Sequence, residues 1–167
     1  HRDGETTPVE FWRRYVDAGL EDYVCLVDDP RPEHPKGRKI GIEHLGNVAG
    51  GTPTEYLNVP NAFMKDCARR ILTELSLPVW FGADCHPMMD REQGAWATDL
   101  FEYGRVYGVD FDLDTEGRVR FADSAMNHAM AFVGVYVADD GQTTRRRRVE
   151  NFWGSKVGDT GTRHMST

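Results

Sequence analysis

The chain has 167 residues, enough for one domain with a hydrophobic core. Its 40% hydrophobic and 11% aromatic content is that of a globular protein, and its 20 Lys and Arg against 27 Asp and Glu give a net charge of -7. That balance disfavours a nucleic-acid binder, whose domain is normally basic. No apolar run reaches the length that spans a bilayer, and no signal-peptide pattern opens the chain. Three cysteines without close spacing argue against a disulfide framework and for a reducing, cytoplasmic setting. The chain opens at His1 without a methionine, and Gly161 to Thr167 trails off with no closing element in the pattern. A fragment of a longer protein is the expectation.

Pro8 to Tyr15 reads as a short helix entered through a proline, with Phe11, Trp12 and Tyr15 on one face. Tyr23 to Val27 is a strand run stopped by Asp28-Asp29-Pro30, and the prolines and glycine of Arg31 to Lys39 mark a loop. Short strands are expected at Ile40 to Leu45 and Tyr56 to Val59, on either side of a turn at Gly50-Gly51. From Pro60 to Leu75, Met64, Cys67, Ala68, Ile71, Leu72 and Leu75 fall at the spacing of one buried helical face. Pro78 forbids continuation, and Val79-Trp80-Phe81 follows as an apolar strand. Asp99 to Tyr107 is expected as a second helix capped by Thr98. Ala129 to Ala138 is the strongest strand; it ends at the turn Asp139-Asp140-Gly141 and is answered by a returning strand from Arg145 to Trp153. Helices early and strands late predict an α+β protein.

That hairpin brings together two residue types with a chemistry in common. His128 stands at the start of one strand; Asn151, with Val149 and Trp153 on its face, stands near the end of the other. A neutral carboxamide can orient an imidazole through one ring nitrogen and leave the other to hold a thiol as thiolate. An indole over that contact excludes water and strengthens it. Spacing alone also accommodates a half-buried histidine and a strand asparagine that only satisfy local backbone groups.

The segments Pro78-Val79-Trp80-Phe81-Gly82, Asn127-His128-Ala129-Met130 and Arg148-Val149-Glu150-Asn151-Phe152-Trp153-Gly154 resemble the bleomycin hydrolase and aminopeptidase C family of papain-like cysteine aminopeptidases. Further matches follow in family order: Leu26 to Pro32, Glu43-His44-Leu45-Gly46-Asn47, Gly50-Gly51 and Tyr56 to Pro60. The resemblance covers nearly everything from Pro8 to Met165. It implies that His128 is the catalytic histidine, Asn151 the residue that orients it, and Trp153 the tryptophan that shields their contact. It also implies that the nucleophilic cysteine and the oxyanion-hole glutamine lie upstream of this chain, and that a C-terminal arm restricting the family to amino-terminal trimming lies beyond it. The chain departs from the family at four places. Ala83 stands for a common cysteine, Asn127 for threonine, Phe152 for serine and Thr162 for tyrosine.

The local cysteines make poor nucleophiles. Cys67 belongs to the apolar helix face and Cys25 to an apolar strand, where a thiol behaves as a small hydrophobe. Cys85 sits beside Asp84, whose carboxylate opposes thiolate formation. Asp84, Cys85, His86 and His44 lack the paired spacing of a zinc site. Asp110 to Asp114 imitates a calcium loop, but Thr115 and Phe121 occupy the positions that require glycine and glutamate. It reads as a solvated acidic turn. Four arginines, Arg145 to Arg148, give only two per strand face, and they read as an exposed strand paired with acidic neighbours. Gly46 to Gly51 lacks the lysine and following helix of a phosphate loop.

The reading is therefore α+β, a papain-like fold. Residues 1–167 are expected to be the C-terminal portion of the peptidase domain, mostly its barrel-like half bearing His128 and Asn151, with part of the flanking helices. The function expected of the intact protein is a cysteine aminopeptidase acting through a thioester acyl-enzyme. The alternative is a non-catalytic scaffold or nucleic-acid-binding module of the same fold. Peptides are the expected substrates, with neither metal nor cofactor. By family analogy a hexamer is expected, and nucleic acid stays open as a partner.

Overall fold

The computed structural model describes residues 4–166 except Ala18, His44, Gly46, Asn47, His86, Asp112, Val157 and Asp159. Helix α1 (Pro8–Phe11) opens with a reciprocal cap: the Thr7 hydroxyl accepts from the Glu10 amide at 3.2 Å, and the Glu10 carboxylate accepts from the Thr7 amide at 2.9 Å. The helix continues through a wider turn, Trp12–Val16, and Phe11 packs on Tyr15 with centroids 4.9 Å apart. Strands β1 (Leu26–Val27), β2 (Lys39–Gly41) and β3 (Glu55–Asn58) form a small sheet in the order β1-β3-β2, with β1 parallel and β2 antiparallel to β3. Both expected outer strands are longer in sequence than in structure. The parallel ladder pairs only Leu26 and Val27 with Leu57 and Asn58; the Cys25 carbonyl closes its end by accepting from the Leu57 amide at 2.8 Å, and Tyr23, Val24 and Cys25 are exposed. Cys25 thus borders the strand but is exposed, which corrects its expected behaviour as a small buried hydrophobe.

Helix α2 (Asn61–Arg70) starts from an extended Pro60 and runs on into a wider turn, Ile71–Leu75, ended by Ser76 in the left-handed region. Its periodicity holds in the middle, where Ala68 is buried and Met64, Cys67, Ile71 and Leu72 are half-buried. It fails at Leu75, which is 62% exposed. A turn closed by i to i+5 bonds shifts the angular spacing, so the 3.6-residue face is not maintained there.

The main sheet comprises β4 (Val79–Ala83), β5 (Met89–Asp90), β6 (Ala95–Trp96), β7 (His128–Val137), β8 (Thr144–Glu150) and β9 (Thr162–Ser166). Its order is β4-β7-β8-β9-β6-β5, antiparallel except for β6 with β9, and it curls into the barrel-like half of the fold. Between β6 and β7 lie α3 (Tyr103–Tyr107) and α4 (Thr115–Arg120). Helix α3 is four residues shorter than expected at its start and has Glu102, not Thr98, before it. Helix α4 is new, and it accounts for the last residue of the acidic segment: the Asp114 carboxylate caps it by accepting from the Gly117 amide at 2.7 Å. Asp112 lies outside the described residues.

The β7–β8 hairpin matches expectation at its turn, where the Asp140 carboxylate accepts from the Gln142 and Thr143 amides and Gly141 takes a φ of +69°. β8 ends at Glu150, three residues before the expected limit. The largest correction is β9. Residues expected to trail off without an element form a central strand between β8 and β6. Its inward-facing positions are Arg163 and Met165, so an arginine breaks the apolar alternation by which a strand is read.

The core lies against this sheet. Phe81 stacks on Phe132 with centroids 3.7 Å apart, and Met130, Val149, Trp96, Cys85 and Ala68 are buried around them. Among the described residues no helix is long and apolar enough to cross a membrane.

Candidate active site

Strands β4, β7 and β8 meet at the edge where the imidazole sits. His128 is the first residue of β7 and pairs with Ala83, the last residue of β4. Asn127 fixes that end of the ladder. Its amide donates to the Ala83 carbonyl at 3.2 Å, its side-chain oxygen accepts from the Cys85 amide at 3.1 Å, and its side-chain nitrogen donates to the Asp84 carboxylate at 2.8 Å. One side chain thus ties the exit of β4 to the start of β7, directly before His128. Sequence reading had noted Asn127 only as a departure from the family pattern. Its role as a staple between segments 42 and 43 residues apart appears only in three dimensions.

Asn151 lies one residue beyond β8, and its Oδ1 is 3.1 Å from Nε2 of His128. The same oxygen accepts from the Phe152 amide at 2.8 Å. A backbone N–H can only donate, so the atom facing both partners is the oxygen, and His128 donates to it from Nε2. The imidazole is thereby held with Nδ1 as its free face; among the described residues Nδ1 has no hydrogen-bond partner. The Asn151 side-chain nitrogen is buried and likewise without a partner among the described residues.

Trp153 stacks on His128, with ring centroids 5.0 Å apart and planes inclined by 26°. Phe152 approaches the same imidazole at 5.5 Å while remaining exposed. The expected sharing of one strand face by Val149, Asn151 and Trp153 is not realised, since the strand has already ended at Glu150. The loop instead delivers the indole to the imidazole. Two residues absent from the sequence reading stand over that indole: the guanidinium carbon of Arg163 is 4.4 Å from the ring centroid, and that of Arg91 is 5.2 Å from it.

The thiols lie elsewhere. Cys85 is completely buried, and its pKa is pushed up to about 11, first by burial and then by Asp84, against a smaller opposing pull from Arg163. Cys25 is exposed and Cys67 half-buried. Among the described residues, no cysteine sulfur is within hydrogen-bonding reach of His128. The arrangement therefore contains an oriented imidazole but no thiol placed to use it.

The remaining candidates separate in the same way. No group of three or more metal-binding side chains occurs among the described residues; His44 and His86 lie outside them. Of the arginine run, Arg145, Arg146 and Arg148 are exposed, and none forms an ion pair with an acidic side chain among the described residues. Arg147 departs from the expected exposed strand. It is buried against the Phe132 ring at 5.5 Å, with burial pushing its pKa down.

All 167 residues match the sequence model of the Peptidase C1-like family. Aminopeptidase C of Listeria innocua is 33% identical over 160 residues, which are 96% of this chain and 36% of that protein. Human bleomycin hydrolase is 36% identical over 163 residues, covering 95% of this chain and 35% of its own length. The crystal structure of pepw from Lactobacillus rhamnosis matches with a TM-score of 0.93 at 34% identity, covering 99% of this chain and 36% of that one. The chain spans about a third of the length of these relatives. The matched sequence and the shared papain-like α+β architecture lead to one conclusion: this chain belongs to the Peptidase C1-like family.

Proposed function

We propose that this chain supplies the imidazole and carboxamide of a cysteine aminopeptidase, with the thiol coming from another part of the intact protein. The observation that carries the reading is the doubly used oxygen of Asn151. By accepting from both Phe152 and His128 it fixes the tautomer and directs Nδ1 outward. In this reading Nδ1 takes the thiol proton as sulfur attacks the first peptide carbonyl, then gives it to the departing amine. A thioester remains. Nδ1 next accepts a proton from water, whose oxygen attacks the thioester carbonyl, and the thiol is regenerated as the free amino acid leaves. Asn151 retains the ring's orientation through both halves, and Trp153 keeps water from the Nε2 contact.

Restriction to amino-terminal residues rests on the relatives named aminopeptidase C and bleomycin hydrolase. Trp80 and Phe121 are strongly exposed in this chain, and in this reading the remainder of the protein covers them. The test is turnover of aminoacyl chromogenic substrates and of amino-blocked analogues by the intact protein. Release from the free-amino substrates alone, stopped by a thiol-alkylating reagent, is the expected result. Unimpaired activity after complete thiol alkylation would remove the proposal.

A further inference from the structure

Arg163 is the most deeply buried cation among the described residues, 1% exposed, and its Nε, Nη1 and Nη2 all lack hydrogen-bond partners among them. Burial pushes its pKa down, as does nearby Arg91. A guanidinium without hydrogen bonds or a counter-ion is costly in such a place. Among the described residues it meets the face of Trp153, 4.4 Å away, where the ring's negative potential favours a desolvated cation.

The position links β9 to the imidazole. Arg163 pairs with Val149 in the β8–β9 ladder, so its backbone is fixed by the central sheet. Its stem is hemmed in by the connecting loop: a Cβ on Gly158 would come 3.4 Å from Arg163 Cγ and 2.4 Å from the Thr162 carbonyl oxygen. Trp153 in turn stacks on His128 at 5.0 Å. The contacts therefore run from a rigid strand, through a cation, to an indole and then to the ring that bonds Asn151.

We propose that Arg163 is a positioning residue, whose guanidinium holds the Trp153 indole over the His128–Asn151 contact. It acts through Trp153 and touches no reacting atom. The kinetic part rests on the aminopeptidase reading above; the structural part does not.

The experiment uses the intact protein with Arg163→Met, which keeps the length of the stem and loses the cation, and Arg163→Lys, which keeps a cation. Arg163→Met is expected to lower kcat by roughly tenfold, because a displaced catalytic ring is costly, with KM within about twofold of wild type. Arg163→Lys should recover at least half of that loss on a logarithmic scale. Equal rates for Met, Lys and Arg would overturn the proposal, as would a Met variant that loses stability but not kcat per folded molecule. Should Arg163→Met fail to fold, the double-mutant cycle of Arg163→Lys with Trp153→Phe decides: coupled losses support the link and additive losses overturn it. If the wild-type protein turns over no aminoacyl substrate, the aminopeptidase reading fails by itself. Crystal structures of the variants then still test the positioning role. An indole displaced from His128 in Arg163→Met supports it, and an unmoved indole overturns it.

Discussion

Two polar clusters in this molecule are built in opposite ways. In the small sheet, Asn58 is completely buried and fully employed: its oxygen accepts from the Asp29 amide at 2.9 Å and from Lys36 at 3.1 Å, and its nitrogen donates to the carbonyls of Asp29 and His34. Asp29 in turn accepts from Arg31 through two nitrogens and contacts Nδ1 of His34 at 2.6 Å. At the sheet edge, among the described residues, Asn151 uses only its oxygen and His128 only Nε2. An asparagine whose oxygen accepts twice and whose nitrogen donates twice has no valence left for a ligand and acts as a fastening. Under the proposed function, an asparagine that spends its oxygen on orienting a ring leaves that ring's other nitrogen for the thiol. In the same reading, the use made of the asparagine separates a structural polar site from a reactive one more clearly than residue type does, since both are made of histidine, asparagine and neighbours.

The sharpest way to break that contrast is substitution at the open cluster of the intact protein. His128→Ala should lower kcat by about 10⁴-fold with the fold retained, as expected on removal of a general base. Asn151→Ala should lower it by about 10²-fold, because it orients the ring without transferring a proton. Steady-state kinetics on one substrate, with circular dichroism as a check of folding, compares the two. Equal, wild-type-like rates would make the sheet-edge pair no more than a second fastening.

The fastening is expected to answer in stability instead. Asn58→Leu removes acceptors for the Asp29 amide and Lys36, and donors to two carbonyls. With those buried groups unsatisfied, unfolding free energy should fall by about 3 kcal/mol in urea titrations. Turnover per folded molecule should be unchanged. Asn127 sharpens the comparison because it belongs to both kinds. It is a hydrogen-bonded staple, yet it stands directly before His128. Asn127→Ala should cost about 1 kcal/mol in the same titration and also reduce kcat, which Asn58→Leu does not.

These two clusters were not equally legible in the sequence. The contact of His128 with Asn151 could be read because one starts a strongly patterned strand and the other directly follows its hairpin partner, and hairpin geometry limits where such ends meet. The path of Trp153 could not, because it depends on a loop after Glu150 and on Arg163. Strand β9 was missed for the same cause: the inward position that reveals a strand is held here by an arginine. The middle of α2 obeyed its period, whereas its final turn widened and released Leu75. Local pattern is decisive where one face is uniformly apolar. It fails where a buried cation or a change of helical pitch substitutes for that face.

The smallest expected effect concerns acid. Asp29 has its carboxyl held well below the usual carboxylate range, chiefly by hydrogen bonds from Arg31 and with help from His34, against the opposing effect of burial. A folded-state pKa below the unfolded one means that the unfolded chain binds the proton more readily. The stability Asp29 contributes is therefore fully present above the unfolded value of about 4, and it declines as pH falls from there toward the folded value. Arg31 is partly exposed, and solvent screening reduces the gain accordingly. Urea midpoints measured between neutral pH and the acid limit should thus fall more steeply for the wild type than for Asp29→Asn, with the two curves converging only below the unfolded pKa. Parallel curves would mean that the Asp29 cluster is held by its neutral hydrogen bonds to Asn58, and that charge contributes nothing to the fastening.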